Sequence, residues 1–214
     1  MALKHKSLEA EGIPWRFTEK PTIAFSGQGT VPVLIDGEQV VGDSWRIALY
    51  LEDRYPDTPS LFDNKDVQLT RFINCWADTT LLPAIARIIV VDIYRCVDPI
   101  DKDYFRTSRE KAFGDSLEAV ASDRASHLAT LKRALNPLRQ ILREQEFISG
   151  VGPTYADYVV FGMFMWARCC SPVSLLAEGD PIYRWRERML DLFNGYARSA
   201  PCAGTTSTPE HESK

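Results

Sequence analysis

Long apolar runs are missing from this chain. The most apolar stretch, Val159 to Ala167, covers only nine residues, against the roughly 20 that a membrane-spanning helix requires. No membrane association is expected. An excess of positive charge is missing as well: 25 Lys and Arg stand against 29 Asp and Glu, a net charge of −4. Nucleic-acid binders usually carry a basic patch or stripe, so nucleic acid is not an expected partner. Histidine is scarce, with three residues and no HxxxH spacing, and the five cysteines (Cys75, Cys96, Cys169, Cys170 and Cys202) form no CxxC pair. No metal site is therefore expected. An odd cysteine count without a pairing pattern fits free thiols in a reducing compartment. The opening MALKHKSLEAEG has no apolar core of the kind a secretory signal needs, so the expected location is the cytoplasm. Neither GxGxxG nor GxxxxGK[ST] occurs, and Gly27 and Gly29 read as loop hinges rather than a phosphate cradle.

What is present divides the chain near residue 63. Ala2 to Leu8 reads as the end of a helix, cut off by Gly12 and Pro14. Ile13 to Phe17 predicts a strand, Thr18 to Thr30 a loop, and Val31 to Ile35 a second strand. Asp36-Gly37 is a two-residue hairpin signal that returns the chain along Glu38 to Val41. Gly42-Asp43-Ser44 then opens a helix whose apolar stripe is Ile47, Leu51 and Tyr55, with Pro56 ending it. The predicted order is helix, strand, strand, strand, helix, followed by a linker to about Asn64.

Beyond the linker the pattern turns helical. Leu69, Phe72, Ile73, Trp76 and Ala77 share one face, which Ile85, Ile88 and Ile89 continue, and Pro83 between them predicts a kink. Leu128, Leu131, Leu135, Leu138 and Leu142 step by three and four, with a bend or break at Pro137. Thr154 followed by Asp157 is a capping-box start. The helix behind it is apolar on nearly every face and is expected in the centre of a bundle. A last helix is predicted over Pro181 to Phe193, and residues 201–214 read as a small, polar, disordered tail.

Val31-Pro32, the Asp-Gly hairpin, Asp43-Ser44 and the proline-stopped helix together resemble the glutathione-binding half of a cytosolic glutathione transferase. The stretch FISG and the Thr154-x-x-Asp157 pair resemble that family's capping box. ALKHK, IPWRF and DSWRIALYLEDRYPDTPSLF, in this order, are similar to the bacterial and fungal β-etherase-like branch. The resemblance implies an α/β plus all-α chain. Residues 1–62 would be an incomplete thioredoxin-like domain lacking its first strand, and residues 63–200 an all-helical C-terminal domain. It implies glutathione as co-substrate, thiolate attack on a small electrophile, ether cleavage as a candidate reaction, a detoxifying role and a homodimer.

By the same resemblance Pro32 is cis, and the backbone of Val31 pairs with the cysteinyl part of glutathione like a short added strand. The N-terminus of the helix after Asp43, with the Ser44 hydroxyl, takes the γ-glutamyl carboxylate, and Asp43 takes its ammonium. Read without the resemblance, Asp43-Ser44 is a plain helix cap and Pro32 an edge device. Lys20 or Gln28 meets the glycyl carboxylate. Ile73 and Trp76 are assigned either to the electrophile pocket or to plain core. No catalytic residue is named: the family's thiol-activating Ser, Tyr or Cys follows the first strand, which the resemblance puts upstream of Met1, and neither Ser7 nor Ser26 lies where it could substitute. The chain as given is accordingly expected to conjugate glutathione no faster than the uncatalysed background. The alternative is a non-catalytic ligand-binding or regulatory protein on the same scaffold.

Overall fold

A computed structural model of the protein describes residues 1–62 and 67–203. The chain opens with a four-residue helix, α1 (Ala2–His5), shorter than the predicted segment. A 3-10 stretch covers Lys20–Ser26. The only sheet among the described residues is a hairpin of β1 (Val33–Asp36) and β2 (Gln39–Gly42). Its antiparallel register pairs Val33 with Gly42, Leu34 with Val41, Ile35 with Val40 and Asp36 with Gln39. The turn between them is Gly37-Glu38, one residue later than the sequence predicts, and Gly37 takes φ 59°, where a glycine carries no steric penalty. Helix α2 (Ser44–Arg54) follows directly.

The strand predicted over Ile13 to Phe17 is not formed: the hairpin has two strands and residues 13–17 are irregular. A strand exists only through its ladder, and here the backbone donors go elsewhere. The N–H groups of Phe17 and Thr18 both donate to the Asp101 carboxylate, at 3.1 and 3.0 Å. Ile13 instead faces the hairpin across a groove of about 460 Å3, lined also by Leu3, Leu8, Val33, Ile35 and Leu51. The Thr18 hydroxyl bonded to Asp101 holds that carboxyl below its ordinary value. A folded value below the unfolded one stabilises above the unfolded pKa, and that contribution is lost as pH falls through the folded value. The Phe17 and Thr18 amides should therefore lose exchange protection on acidification before the bundle does, a result NMR exchange rates can check.

Lys6, fully buried, ties the N-terminal segment to α2. Its ammonium lies 2.9 Å from Glu52 Oε2 and donates to the Tyr55 carbonyl at 3.1 Å. Removing one partner of a buried ion pair costs about 3–5 kcal/mol, and because the Glu52 side chain keeps 29% of its surface, we expect Lys6→Ala to cost about 2–3 kcal/mol in a denaturant titration.

The rest of the chain is helical. α3 (Val67–Trp76) passes through a π-helical turn, Ala77–Leu81, into α4 (Leu82–Cys96). The irregularity falls where Pro83, at the start of α4, cannot donate to the preceding turn. α5 (Lys102–Phe113), α6 (Leu117–Ser122), α7 (Arg124–Ala134) and α8 (Asn136–Glu144) follow. The leucine stripe is broken between α7 and α8 at Leu135, with Pro137 in the first turn of α8. α9 (Tyr155–Cys170) and α10 (Pro181–Gly195) complete the bundle.

The core sits on α4 and α9. Ile85, Ile88, Ile89 and Val90 of α4 and Val160, Phe161 and Phe164 of α9 are all buried. Trp185 of α10 has no exposed surface and stands edge-on to Phe161 and Phe164, with ring centroids 6.2 and 6.1 Å away. α9 starts on the Thr154–Asp157 capping box, as the sequence indicates. The last part of the predicted tail, residues 204–214, and the linker residues 63–66 lie outside the described residues.

Candidate glutathione site

The hairpin register decides what meets at its open end. Because Val33 pairs with Gly42, the residues just before Val33 and just after Gly42 lie side by side. Val31-Pro32 and Asp43-Ser44, twelve positions apart in sequence, are thereby brought to one edge. The Val31-Pro32 peptide bond is cis. Val31 is 49% exposed, and among the described residues neither its N–H nor its C=O has a partner. An extended peptide laid there would find one donor and one acceptor on a single residue.

The other side of the site is the first turn of α2. Asp43 is its N-cap: one carboxylate oxygen accepts the Arg46 N–H at 3.0 Å, and the backbone takes φ 71°. Capping occupies that oxygen, and the second accepts no hydrogen bond from the described residues. The first N–H groups of a helix have no intrahelical partner. Asp43 satisfies Arg46, whereas nothing among the described residues takes the N–H groups of Ser44 and Trp45. Ser44 is exposed. A carboxylate suits this spot by hydrogen bonding and by the helix dipole.

The helical half supplies the surroundings. The phenol of Tyr155, first residue of α9, donates to the Ser44 carbonyl at 2.8 Å. Its ring packs on Trp45 and Phe62, each 5.9 Å away, and burial pushes its pKa up to about 12, so it stays a donor. The Arg71 guanidinium lies over the Trp45 ring at 4.9 Å. Burial raises the Asp78 carboxyl above its ordinary value, Arg71 opposes that rise, and Asp43 adds to it, so the three charges sense one another. Asn74 donates to Asp78 at 2.6 Å. One cation and two carboxylates thus border a site whose expected ligand end carries both an ammonium and a carboxylate.

The structure gathers Val31, Pro32, Asp43 and Ser44 but engages Lys20 elsewhere: its ammonium sits over the Tyr104 ring of α5 at 4.9 Å. Gln28 is in the site, though its amide nitrogen donates inward, to the carbonyls of Thr30 and Pro32 at 2.8 and 2.9 Å. Ile73 and Trp76 are half-buried against the core. The Ser26 hydroxyl donates to the Ile23 carbonyl at 2.6 Å, and Ser7 is exposed at the end of α1. Sequence reasoning did not find Tyr155, Arg71 or Asp78. Tyr155 lies 111 positions from Ser44, and no local signal announces such a contact.

Comparison with known proteins bears on the family and the fold. Residues 1–59 match the family model described as glutathione S-transferase, N-terminal domain, and residues 69–189 the one described as glutathione S-transferase, C-terminal domain. The chain is 38% identical over 66 residues to glutathione S-transferase Z2 of Arabidopsis thaliana, covering 28% of this chain and 30% of that one. It is 30% identical over 140 residues to glutathione S-transferase D7 of Drosophila melanogaster, covering 64% of this chain and 52% of that one. The matched segment thus spans about half or less of these curated relatives. Among solved structures, glutathione transferase GSTFuA3 from Phanerochaete chrysosporium superposes with a TM-score of 0.72 at 25% identity, covering 92% of this chain and 83% of that chain. The β-etherase LigF from Sphingobium sp. strain SYK-6 shares the fold with a TM-score of 0.68 at 17% identity, covering 92% of each. With a paired thioredoxin-like half and helical half, and family models matched along both, this chain belongs to the glutathione S-transferase superfamily.

Proposed function

We propose that the chain binds glutathione across the open end of the hairpin. The Val31 backbone pairs with the cysteinyl residue, and Ser44, the first N–H groups of α2 and the free Asp43 oxygen hold the γ-glutamyl end. The observation that carries this reading is the register, which sets an unpartnered backbone edge beside an unpartnered helix start. The chemistry is nucleophilic attack of the glutathione thiolate on a small electrophile, an activated ether among the candidates, in a detoxifying role. The protein contributes by placing both reactants. Residues 1–62 form the glutathione half. Residues 63–200 complete the electrophile pocket around Ile73 and Trp76 and pair in a homodimer, and the protein works in the cytoplasm.

Calorimetric titration with glutathione tests the binding step, with the Val31, Ser44 and Trp45 amide resonances followed in parallel. Saturable binding that shifts all three supports the reading, and a titration without heat or shifts ends it. A second reading, ligand binding without catalysis, draws on the Ser26 hydroxyl being taken up by Ile23. It predicts that the chain conjugates a general electrophile at the background rate while still binding glutathione. A reference thiol pKa of about 8.5 leaves free glutathione mostly protonated at pH 7. Clear turnover by the chain as given would exclude this second reading.

A further inference from the structure

Gln28, which the resemblance offered as a partner of the glycyl carboxylate, has no part in the contacts proposed above. Its amide nitrogen donates to two carbonyls at once, Thr30 at 2.8 Å and Pro32 at 2.9 Å. Those carbonyls flank Val31, so one side chain bridges the residue whose backbone faces the ligand. The same amide lies flat against Gly42. A Cβ built on Gly42 would overlap the Gln28 amide carbon and oxygen. Gly42 has no positive φ, so a larger residue there would act by displacing the Gln28 amide rather than by straining the backbone. Gly42 also ends β2 and directly precedes the Asp43 cap. Gln28 therefore touches both strands of the site, the loop that presents Val31 and the strand end that leads into Ser44.

We propose that Gln28 is a positioning residue that fixes the Val31 edge relative to the start of α2, and that Gly42 is its required seat. The inference rests on the glutathione reading above. Gln28 needs no contact with glutathione to act: with its nitrogen directed to two protein carbonyls, it sets where the Val31 N–H and C=O point. Hydrogen bonding to the two carbonyls and contact with Gly42 are one device, so disturbing either end has the same consequence. The Gln28 backbone N–H reaches only the Ser26 hydroxyl, at 3.4 Å.

The test is a cycle of variants titrated with glutathione. Gln28→Met fills nearly the same volume without the donor and adds no charge, and Gly42→Ala keeps the glutamine but displaces it. Each is expected to weaken glutathione binding about tenfold, the size of one or two lost hydrogen bonds. Gly42→Ala placed in a Gln28→Ala background is expected to add nothing further, because the group it would displace is gone. Melting temperatures should stay close to the parent's, since the amide works at an exposed edge, while the Val31 amide resonance moves in each single variant before any ligand is added. Fully additive losses for Gln28→Ala and Gly42→Ala would overturn the inference, as would a Gly42→Ala protein that binds like the parent. Parent-like affinity in Gln28→Met, alongside a Ser44→Ala protein that has lost its own, would overturn it while leaving the glutathione reading in place. A parent that binds no glutathione overturns both.

Discussion

Asp157→Ala is expected to lower the stability of the protein by about 3–5 kcal/mol, a drop of roughly 6–20 °C in melting temperature for a chain of this size. Asp157 has no exposed surface. One carboxylate oxygen accepts the Ile148 N–H and the Trp185 indole N–H, both at 2.8 Å, and the other accepts the Thr154 N–H at 3.0 Å. An exposed helix cap contributes about 1 kcal/mol. Here alanine would also leave three buried donors unpaired, each costing about 1–3 kcal/mol. Burial, which pushes the Asp157 carboxyl above its ordinary pKa against the pull of those hydrogen bonds, shows that the ion is held at some desolvation cost. Removing the charge recovers part of that cost, which keeps the estimate below the plain sum. Asp157→Asn, which keeps an acceptor for some of the donors, should lose about half as much. Thermal melts followed by circular dichroism would check both, and a loss under about 1 kcal/mol for alanine would show that the donors find other partners.

Ser44→Ala and Asp43→Asn are each expected to weaken glutathione binding roughly 10- to 150-fold, the equivalent of about 1.5–3 kcal/mol for a hydrogen bond to a charged group. The Ser44 hydroxyl is exposed, so its removal should leave the fold alone. Asparagine is the instructive replacement at position 43. It can still cap Arg46 and it tolerates the φ of 71°, so only the negative charge facing the ammonium is lost. Alanine at 43 would confound a lost cap and backbone strain with lost binding. Calorimetry on both variants, with circular dichroism to confirm the helices, decides the matter. Unchanged affinity in both would mean that the γ-glutamyl end is not held at this helix start.

The parts legible in the sequence were those written locally. Asp-Gly between two apolar runs gave the hairpin, Asp43-Ser44 the start of α2, and Thr154 with Asp157 the start of α9. Each depends on residues within four positions of one another, as turns and caps do. Ile13 to Phe17 failed for the opposite reason. Its composition suits a strand, but pairing is decided by what lies alongside, and Asp101, more than eighty positions away, takes the donors of Phe17 and Thr18. The candidate site divides in the same manner. Val31, Pro32, Asp43 and Ser44 follow from motif and register, whereas Tyr155 and the Gln28–Gly42 contact arise only once the chain is folded.

The phenol of Tyr155 on the Ser44 carbonyl has an effect on how the molecule comes apart. A second bond, from the Tyr155 N–H to the Leu61 carbonyl at 2.7 Å, reinforces it. The first residue of a bundle helix thus clasps both ends of the segment from Ser44 to Leu61. The two halves should melt in one cooperative transition, and the hairpin half should not be a portable module that keeps its shape when expressed alone. Exchanging the helical half for that of a relative would change how firmly the tripeptide is gripped without altering any residue proposed to touch it.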